Sequence, residues 1–433
     1  MGLPVEWRNW SGLESARPQA VYAPRTVEDV VTAVDVARAA GTPLKMAGTG
    51  HSFTAIASPE HTQLLPHELT GILAVDRDAM TVTARAGTPL HVLNEELERL
   101  GLSLHNMGDI AEQTLAGAVS TGTHGSGGRA ASLAAQVAGF ELVTGTGEVV
   151  RVSDMENADV FDIGRVGLGA LGVLTSLTFE VEPSFVLRAH ERPVTWDEGV
   201  GSLLELAEEH EHVDAYWFPH TDRMQVKTND RVDAADPLPR WRAFLDDDLL
   251  ANRLYSALNR FGAAVPATVP TINQLSARAL TERTYADVAD RVFTTPRHVV
   301  FKEMEYSLPR AAGLDALRDS RRAIEASDWR ISFPVEIRVV PADDIPLSTG
   351  YGRDSIYLAF HTWVGVDHLP YFTGIERILR DHGGRPHWGK VHTRTVEDLA
   401  PAYPLFDEFL ALRDRLDPDR VFDNAYLRRV LGD

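Results

Sequence analysis

Four short stretches hold the side chains best suited to chemistry. "GTGHSFTAIA" sets His51 just after a glycine-rich turn and ahead of an apolar run. "GDIAEQTLAGAVSTGTHGSGG", residues 108–128, packs glycine, serine and threonine together. "PVEIRVV" carries Glu336 and Arg338 two residues apart, and "GRPHWGK" ends on Lys390. Successive backbone N–H groups in glycine-rich turns form anion-binding concavities, and glycine lets the chain come close to a phosphate. Either stretch alone is also compatible with a surface loop; two of them, each beside a strand, point to phosphate binding. Residues two apart on a strand share a face, roughly 6.5–7 Å apart. Glu336 and Arg338 therefore face either water or a polar pocket, while Val335, Ile337 and Val339 turn toward a core. A cross-strand salt bridge from Arg338 to Glu303 or Glu305 is the alternative use of that charge.

An imidazole nitrogen is nucleophilic enough to bond an electrophilic methyl group of a cofactor, and the C8 methyl of a flavin is such a group. A hydrogen bond from His51 to a phosphate or to backbone is the simpler alternative. "GLGALG", Gly167 to Gly172, matches a dinucleotide-binding glycine pattern, but it opens a strand rather than a helix. A Rossmann fold is therefore not expected, and no G-x-x-x-x-G-K-[ST] loop is present. His361, in "AFHTW", sits on an expected strand as a further site residue, with Thr362 behind it. His387 and Trp388 read as packing residues, and His210 and His212, in "EEHEH", as solvated members of an acidic surface run.

The elements that position these residues alternate in type. Residues 26–40 read as an amphipathic helix with a Thr26–Asp29 capping box. "TPLKMAG" reads as a short buried strand, "GILAVD" and "MTVTARAG" as a hairpin, and "PLHVLNEELERLG" as a helix. "VAGFELVTGTGEVVRVS" reads as a second hairpin, and Val173, Thr175, Leu177, Phe179 and Val181 alternate on one strand face closed by Pro183. Residues 195–290 are expected to hold acidic helices and a Pro/Ala-rich patch. Strands are expected at 297–309, 332–344 and 355–365, with helices on one face. This is an α+β chain. It divides into residues 1–183, a cap over residues 184–385 and a turn-rich tail over 386–433.

Bulk composition narrows the partners. The 433 residues carry a net charge of −20, which repels phosphate backbones and anionic lipid, so neither nucleic acid nor a membrane is expected. There is no cysteine, which excludes disulfides, thiolate metal sites and thiol nucleophiles. With no secretory leader pattern at its start, the chain is expected to be cytoplasmic.

"GTGHSFTAIA", "GDIAEQTLAGAVSTGTHGSG", "GALGVLTSLTFEVEP", "GRPHWGK" and "DPDRVFDNAYLRRVLG" together resemble the FAD-dependent aldonolactone oxidoreductases of the vanillyl-alcohol-oxidase type, with alditol oxidases as near relatives. The resemblance keeps motif order over essentially the whole chain. It implies an FAD-binding domain of two α+β subdomains (the PCMH type), a cap with a mainly antiparallel sheet, and a C-terminal segment returning to the first domain. It implies FAD tethered through His51, with Gly48, Thr49, Gly50, Ser52 and Phe53 around the cofactor. Thr114, Gly117, Thr121, Gly122 and Ser126 match the second cofactor loop, and Val173 begins the strand near the adenosine. It implies that Glu336 and Arg338 bind substrate hydroxyls, that Lys390 approaches the flavin edge, and that Glu336 or His361 receives a proton. The implied substrate is an aldono-1,4-lactone such as L-gulonolactone oxidised at C2 toward ascorbate, with xylitol or sorbitol as the alternative. The electron acceptor is dioxygen or a redox protein. A sugar-binding protein without redox chemistry is the reading from another class.

Overall fold

The computed structural model describes residues 6–238, 255–294 and 299–432. Besides two two-stranded pairings, residues 6–183 build a three-stranded and a five-stranded sheet. Strands β1 (Ala20–Tyr22), β2 (Leu44–Met46) and β3 (Thr62–Leu64) pair in parallel in the order β1-β3-β2. Helix α1 (Val27–Ala40) lies between β1 and β2 in sequence. Thr26 and Asp29 close its capping box, and Gly41 at φ 64° ends it, a backbone setting that glycine adopts without strain. The second sheet is antiparallel, in the order β7-β6-β8-β5-β4. Its strands are β4 (Ile72–Asp76), β5 (Thr81–Arg85), β6 (Val137–Val143), β7 (Val149–Ser153) and β8 (Val173–Glu180). All five alternating residues from Val173 to Val181 are buried, as their period-2 pattern predicts.

Helix α2 (Leu90–Leu100) buries Leu90, Leu93 and Leu97 against this sheet's core, and α3 (Leu115–Ser120) lies inside the second glycine-rich stretch. "GLGALG" turns directly into β8, with Gly169 at φ +62°.

The cap is one eight-stranded sheet with antiparallel pairing throughout. Its strands are β9 (Val186–Thr195), β10 (His212–Trp217), β11 (Arg223–Val232), β12 (Arg283–Val288), β13 (Phe301–Pro309), β14 (Val335–Val340), β15 (Ser355–Trp363) and β16 (Arg385–Pro386). Their order is β12-β9-β11-β10-β14-β15-β13-β16. Helices α4 (Trp196–Glu209), α5 (Arg310–Ala326) and α6 (Leu369–Asp381) cover one face, and Val335, Ile337 and Val339 join the core beneath them. The opposite face of β14 carries Glu336 and Arg338.

Two expectations change. Residues 195–290 hold strands β10, β11 and β12 as well as helices. Five of the six residues of β10 are buried, so apolar and polar positions do not alternate as they do on a half-exposed strand. His212 is buried rather than solvated. The acidic run spans a boundary: α4 ends at His210, where the chain turns extended, and His212 opens β10. The strand expected at 297–309 runs from Phe301, and positions 297 and 298 lie outside the described residues. Residues 1–5 of the opening stretch and 239–254 of the expected helical middle lie outside them too.

The tail runs back over the first third. In it, α7 (Phe406–Leu416) and α8 (Ala425–Leu431) pack on the core of the five-stranded sheet. Asn424 caps α8 with its Oδ1, and its Nδ2 donates to the carbonyls of Ala55, Ile56 and Ser58 at 3.1, 3.1 and 3.2 Å. The loop bearing His51 is therefore anchored from the far end of the chain.

Candidate functional site

Two clefts share a wall. The first, about 780 Å³, is lined by Gly48, Thr49, Gly50, His51, Ser52, Thr114, Gly117, Thr121 and Val173 among the sequence-predicted residues. Backbone crowding explains its glycines. A Cβ on Gly48 would lie 2.4 Å from Thr114 Oγ1, and Gly50 sits at φ +74°. The loop before α3 and the loop after β2 thus approach more closely than side chains would permit, leaving amides and small hydroxyls to face the cleft. "GLGALG", no Rossmann turn, still serves this wall through Leu168, Gly169 and Gly172. Lys45 lines it too, 4% exposed, donating to the carbonyls of Gly169 and Phe422, both at 3.0 Å.

His51 stands in both clefts. Trp10 stacks on its ring at 5.6 Å. Its Nδ1 is buried without a hydrogen-bond partner among the described residues, and burial, assisted by Lys390, pushes its pKa down. A neutral imidazole with a free buried nitrogen keeps its nucleophilic lone pair at neutral pH. The backbone that follows His51 is pinned: Phe53 N–H donates to the Gly389 carbonyl at 2.6 Å, and Asn9 Nδ2 to the Ser52 carbonyl at 2.9 Å.

The second cleft, about 620 Å³, lies between these loops and the cap sheet. Its lining brings together His51, Ser52, Phe53, Thr121, Glu336, Arg338, His361 and Lys390. Register sets its floor. Glu305 pairs across Ala359 to Glu336, and the neighbouring row runs from Ser307 across Tyr357 to Arg338. Glu303 lies opposite His361. Because β15 separates β13 from β14, the alternative contact of Arg338 with Glu303 or Glu305 does not form. Arg338 instead holds Glu336 at 2.7 Å and Asp214 at 3.1 Å. Burial opposes the charge on Arg338, but Glu336 and Asp214 outweigh it and raise its pKa further. The Oε1 of Glu336 touches the guanidinium without an aligned hydrogen bond, so it can still accept one from a ligand.

Lys390 is no solvated lysine: it pairs with Glu303. Burial lifts Glu303, yet Lys390 and His361 overcome this and hold it at about 2. His361 faces the cleft, with Nδ1 3.0 Å from the Pro334 carbonyl and Nε2 3.6 Å from Glu303. Thr362, opposite Lys302, is buried outside both clefts.

Two predicted cofactor residues are not brought in. Gly122 turns the chain at φ +73° outside both clefts. Ser126 docks on the cap instead: its Oγ donates to Asp214 at 3.1 Å, and its carbonyl lies 2.5 Å from His212 Nδ1. Residues missed from sequence include Asp109, Thr123 and His124, and His387 lines the cleft rather than serving only as packing. "THGSGG" contained His124 in plain sight, but a single histidine in a glycine loop says nothing about which cap strand it meets.

Residues 177–430 match the D-arabinono-1,4-lactone oxidase family, and residues 18–153 match an FAD binding domain family. The chain is 36% identical to an L-gulono-1,4-lactone dehydrogenase of Mycobacterium tuberculosis, over 98% of this chain and 99% of that one. It is 32% identical to an L-gulonolactone oxidase of Scyliorhinus torazame, covering 99% of this chain and 98% of the other. An alditol oxidase of a Streptomyces species is 33% identical, over 98% of each. Among solved structures, cholesterol oxidase from B. sterolicum superposes with a TM-score of 0.81 at 18% identity, over 98% of this chain and 96% of that one, a likeness of fold alone.

Proposed function

We infer that this chain, which belongs to the FAD-dependent aldonolactone oxidoreductase family, oxidises L-gulono-1,4-lactone or a close aldonolactone at C2. The observation that carries the reading is the wall shared by the two clefts. A glycine-built groove suited to a diphosphate opens, at His51, Ser52, Gln113 and Thr121, into a pocket of buried carboxylate–cation pairs suited to hydroxyls. The residues fit FAD. The close approach of Gly48 to Thr114 leaves amides for the diphosphate, and His51 offers the free buried nitrogen that a tether to the flavin requires. FAD, when bound, accepts the hydrogen and electron pair removed from the substrate carbon.

The chain's own residues divide the remaining work. Arg338 donates to substrate oxygens, and Glu336 accepts from a neighbouring hydroxyl, which fixes the reacting carbon in one orientation. Lys390, in the second cleft beside His51, would supply positive charge to a flavin ring that gains negative charge on reduction. Phe301 and Phe53 wall off water beside His51. The electron acceptor is dioxygen or a redox protein, the product lies on a route toward ascorbate, and the enzyme works in the cytoplasm. The cofactor domain spans residues 1–183, the cap 184–385, and the tail 386–433.

Anaerobic addition of L-gulono-1,4-lactone is expected to bleach the flavin absorbance of the purified protein. Alditols are expected to bleach it more slowly. Bleaching by xylitol alone would favour the alditol oxidase reading, which the Streptomyces relative makes the second choice. Yellow colour surviving acid denaturation in wild type and lost in His51→Ala marks the tether. Persistence in His51→Ala refutes it.

A further inference from the structure

Oxidation of an alcohol releases one hydroxyl proton into a buried cleft, and the cleft's carboxylates differ in what neutralises them. Glu336 and Asp214 share the fixed charge of Arg338, and Glu303 has that of Lys390. Glu305, 3% exposed, has a different kind of partner: among the described residues its ion-pair contact is His124, whose Nε2 lies 3.3 Å from Oε1. The contacting partner of Glu305 is thus a group that can gain or lose its proton, with the Lys390 cation acting from farther off.

The neighbouring histidines are set up differently. His124 places Nδ1 3.0 Å from the Gly125 carbonyl, so that nitrogen carries hydrogen and Nε2 turns to Glu305. His387 accepts the Gly389 N–H on Nδ1 at 3.0 Å, which leaves its hydrogen on Nε2, and burial pushes its pKa down to about 3. It can donate but not receive. The ligand atoms of His124, Glu305 and His387 lie within 4.8 Å of one another, yet a metal ion there would need a bare Nε2 on His387, against the bond from Gly389. His361 faces Glu303, which is already paired with Lys390. Other groups around Glu305 are Lys390, Glu303, His387 and Arg338, with the Tyr357 ring 3.9 Å from that of His124. Ala359, small and buried, lies between Glu305 and Glu336 in their shared row, so the backbones that carry the two acids stand roughly 10 Å apart across two strand spacings. A five-membered lactone with its hydroxyls fits that gap.

Resting on the reading above, we propose that Glu305, backed by His124, receives the substrate's hydroxyl proton. The O–H bond breaks, and its proton passes to a Glu305 oxygen and is shared with His124 Nε2. The adjacent C–H bond breaks, its hydrogen leaving with the electron pair to oxidised flavin, and the C=O double bond forms. The substrate loses two electrons and the flavin gains two. Glu305 is the catalytic residue and His124 a positioning residue that sets its proton affinity. The pair accepts only when its shared site is empty, so reduction speeds up as pH rises.

The test is anaerobic stopped-flow flavin reduction from pH 5 to 9. Wild type is expected to show one upward step with pH. Glu305→Gln and His124→Asn are expected to lose the step and to reduce flavin about 10²-fold more slowly, with lactone affinity and flavin absorbance near wild type. Glu305→Asp, which keeps a carboxylate, is expected to retain the step at a reduced rate. In ¹⁵N-histidine NMR of the resting holoenzyme at fixed pH, the His124 Nε2 resonance is expected to move in Glu305→Gln while Nδ1, held by the Gly125 carbonyl, stays in place. Steps intact in both variants, with rates within threefold of wild type, overturn the proposal, as does loss of the step only in Glu336→Gln. If an alditol rather than a lactone reduces the wild type, the same assay run on that alditol decides the proposal separately from the substrate assignment. If neither reduces it, both readings fall together.

Discussion

The two clefts are built by opposite means. On the cofactor side the chain supplies backbone: glycines, small hydroxyls and one histidine from loops close in sequence. On the cap side it supplies side chains: three strands and one returning loop contribute acids and cations, nearly all buried and paired, with Asp214 of a fourth strand behind Arg338. Backbone amides keep their dipoles whatever the neighbouring residue. Buried ion pairs depend on every member, because removing one leaves an uncompensated charge. The cofactor side should therefore fail through shape, and the cap side through charge.

The largest effect tests the charge half. Arg338→Met leaves Glu336 and Asp214 facing one another without their cation. Breaking a buried pair in this way costs about 3–5 kcal/mol, and losing the donor costs about 10²–10³ in turnover. Steady-state kcat/KM and a thermal melt on the same sample read both. Turnover within tenfold of wild type with an unchanged melt would show that the Arg338 group is not the substrate's anchor.

Next comes shape. Gly48→Ala places a Cβ 2.4 Å from Thr114 Oγ1 and 3.2 Å from its Cγ2, so one loop must yield. Overpacking of this kind costs about 1–3 kcal/mol, and flavin content, read from the ratio of visible to ultraviolet absorbance, is expected to fall. Adding Thr114→Ala removes both contacting atoms and should restore much of the flavin. If the double variant binds no more flavin than Gly48→Ala, crowding is not why position 48 is glycine.

The same contrast explains what could be read in advance. Glycine loops announce themselves locally, and His51, Thr114 and Thr121 can be placed on one cleft wall from sequence because the chain that positions them is continuous. Glu336 and Arg338 were legible because two residues on one strand fix a shared face. Their partners were not. Asp214 and Arg338 are neighbours only because β10 pairs with β14, and Glu305 meets His124 only because the cap closes over the second glycine loop. The acidic run around His210 reads as exposed at any window length, yet a strand begins inside it and takes His212 into the interdomain contact. Strand order is a long-range fact that alternation does not encode.

The smallest expected effect lies where the two kinds of construction meet. Lys45 is a buried cation on the cofactor side, held by two carbonyls and by no carboxylate within ion-pair distance among the described residues. Burial, reinforced by Arg413, pushes its pKa down to about 7, from an ordinary value of 10.5. The unfolded chain then binds more protons than the native one between those values, so native stability rises as pH rises from about 7 toward 10.5. Lys45→Met removes this linkage. Melting temperature followed from pH 6.5 to 9 should climb more steeply in wild type than in Lys45→Met, with both proteins in the same flavin state. Parallel curves would mean that the Gly169 and Phe422 carbonyls keep the ammonium charged throughout, and that this wall tolerates charge as the cap does.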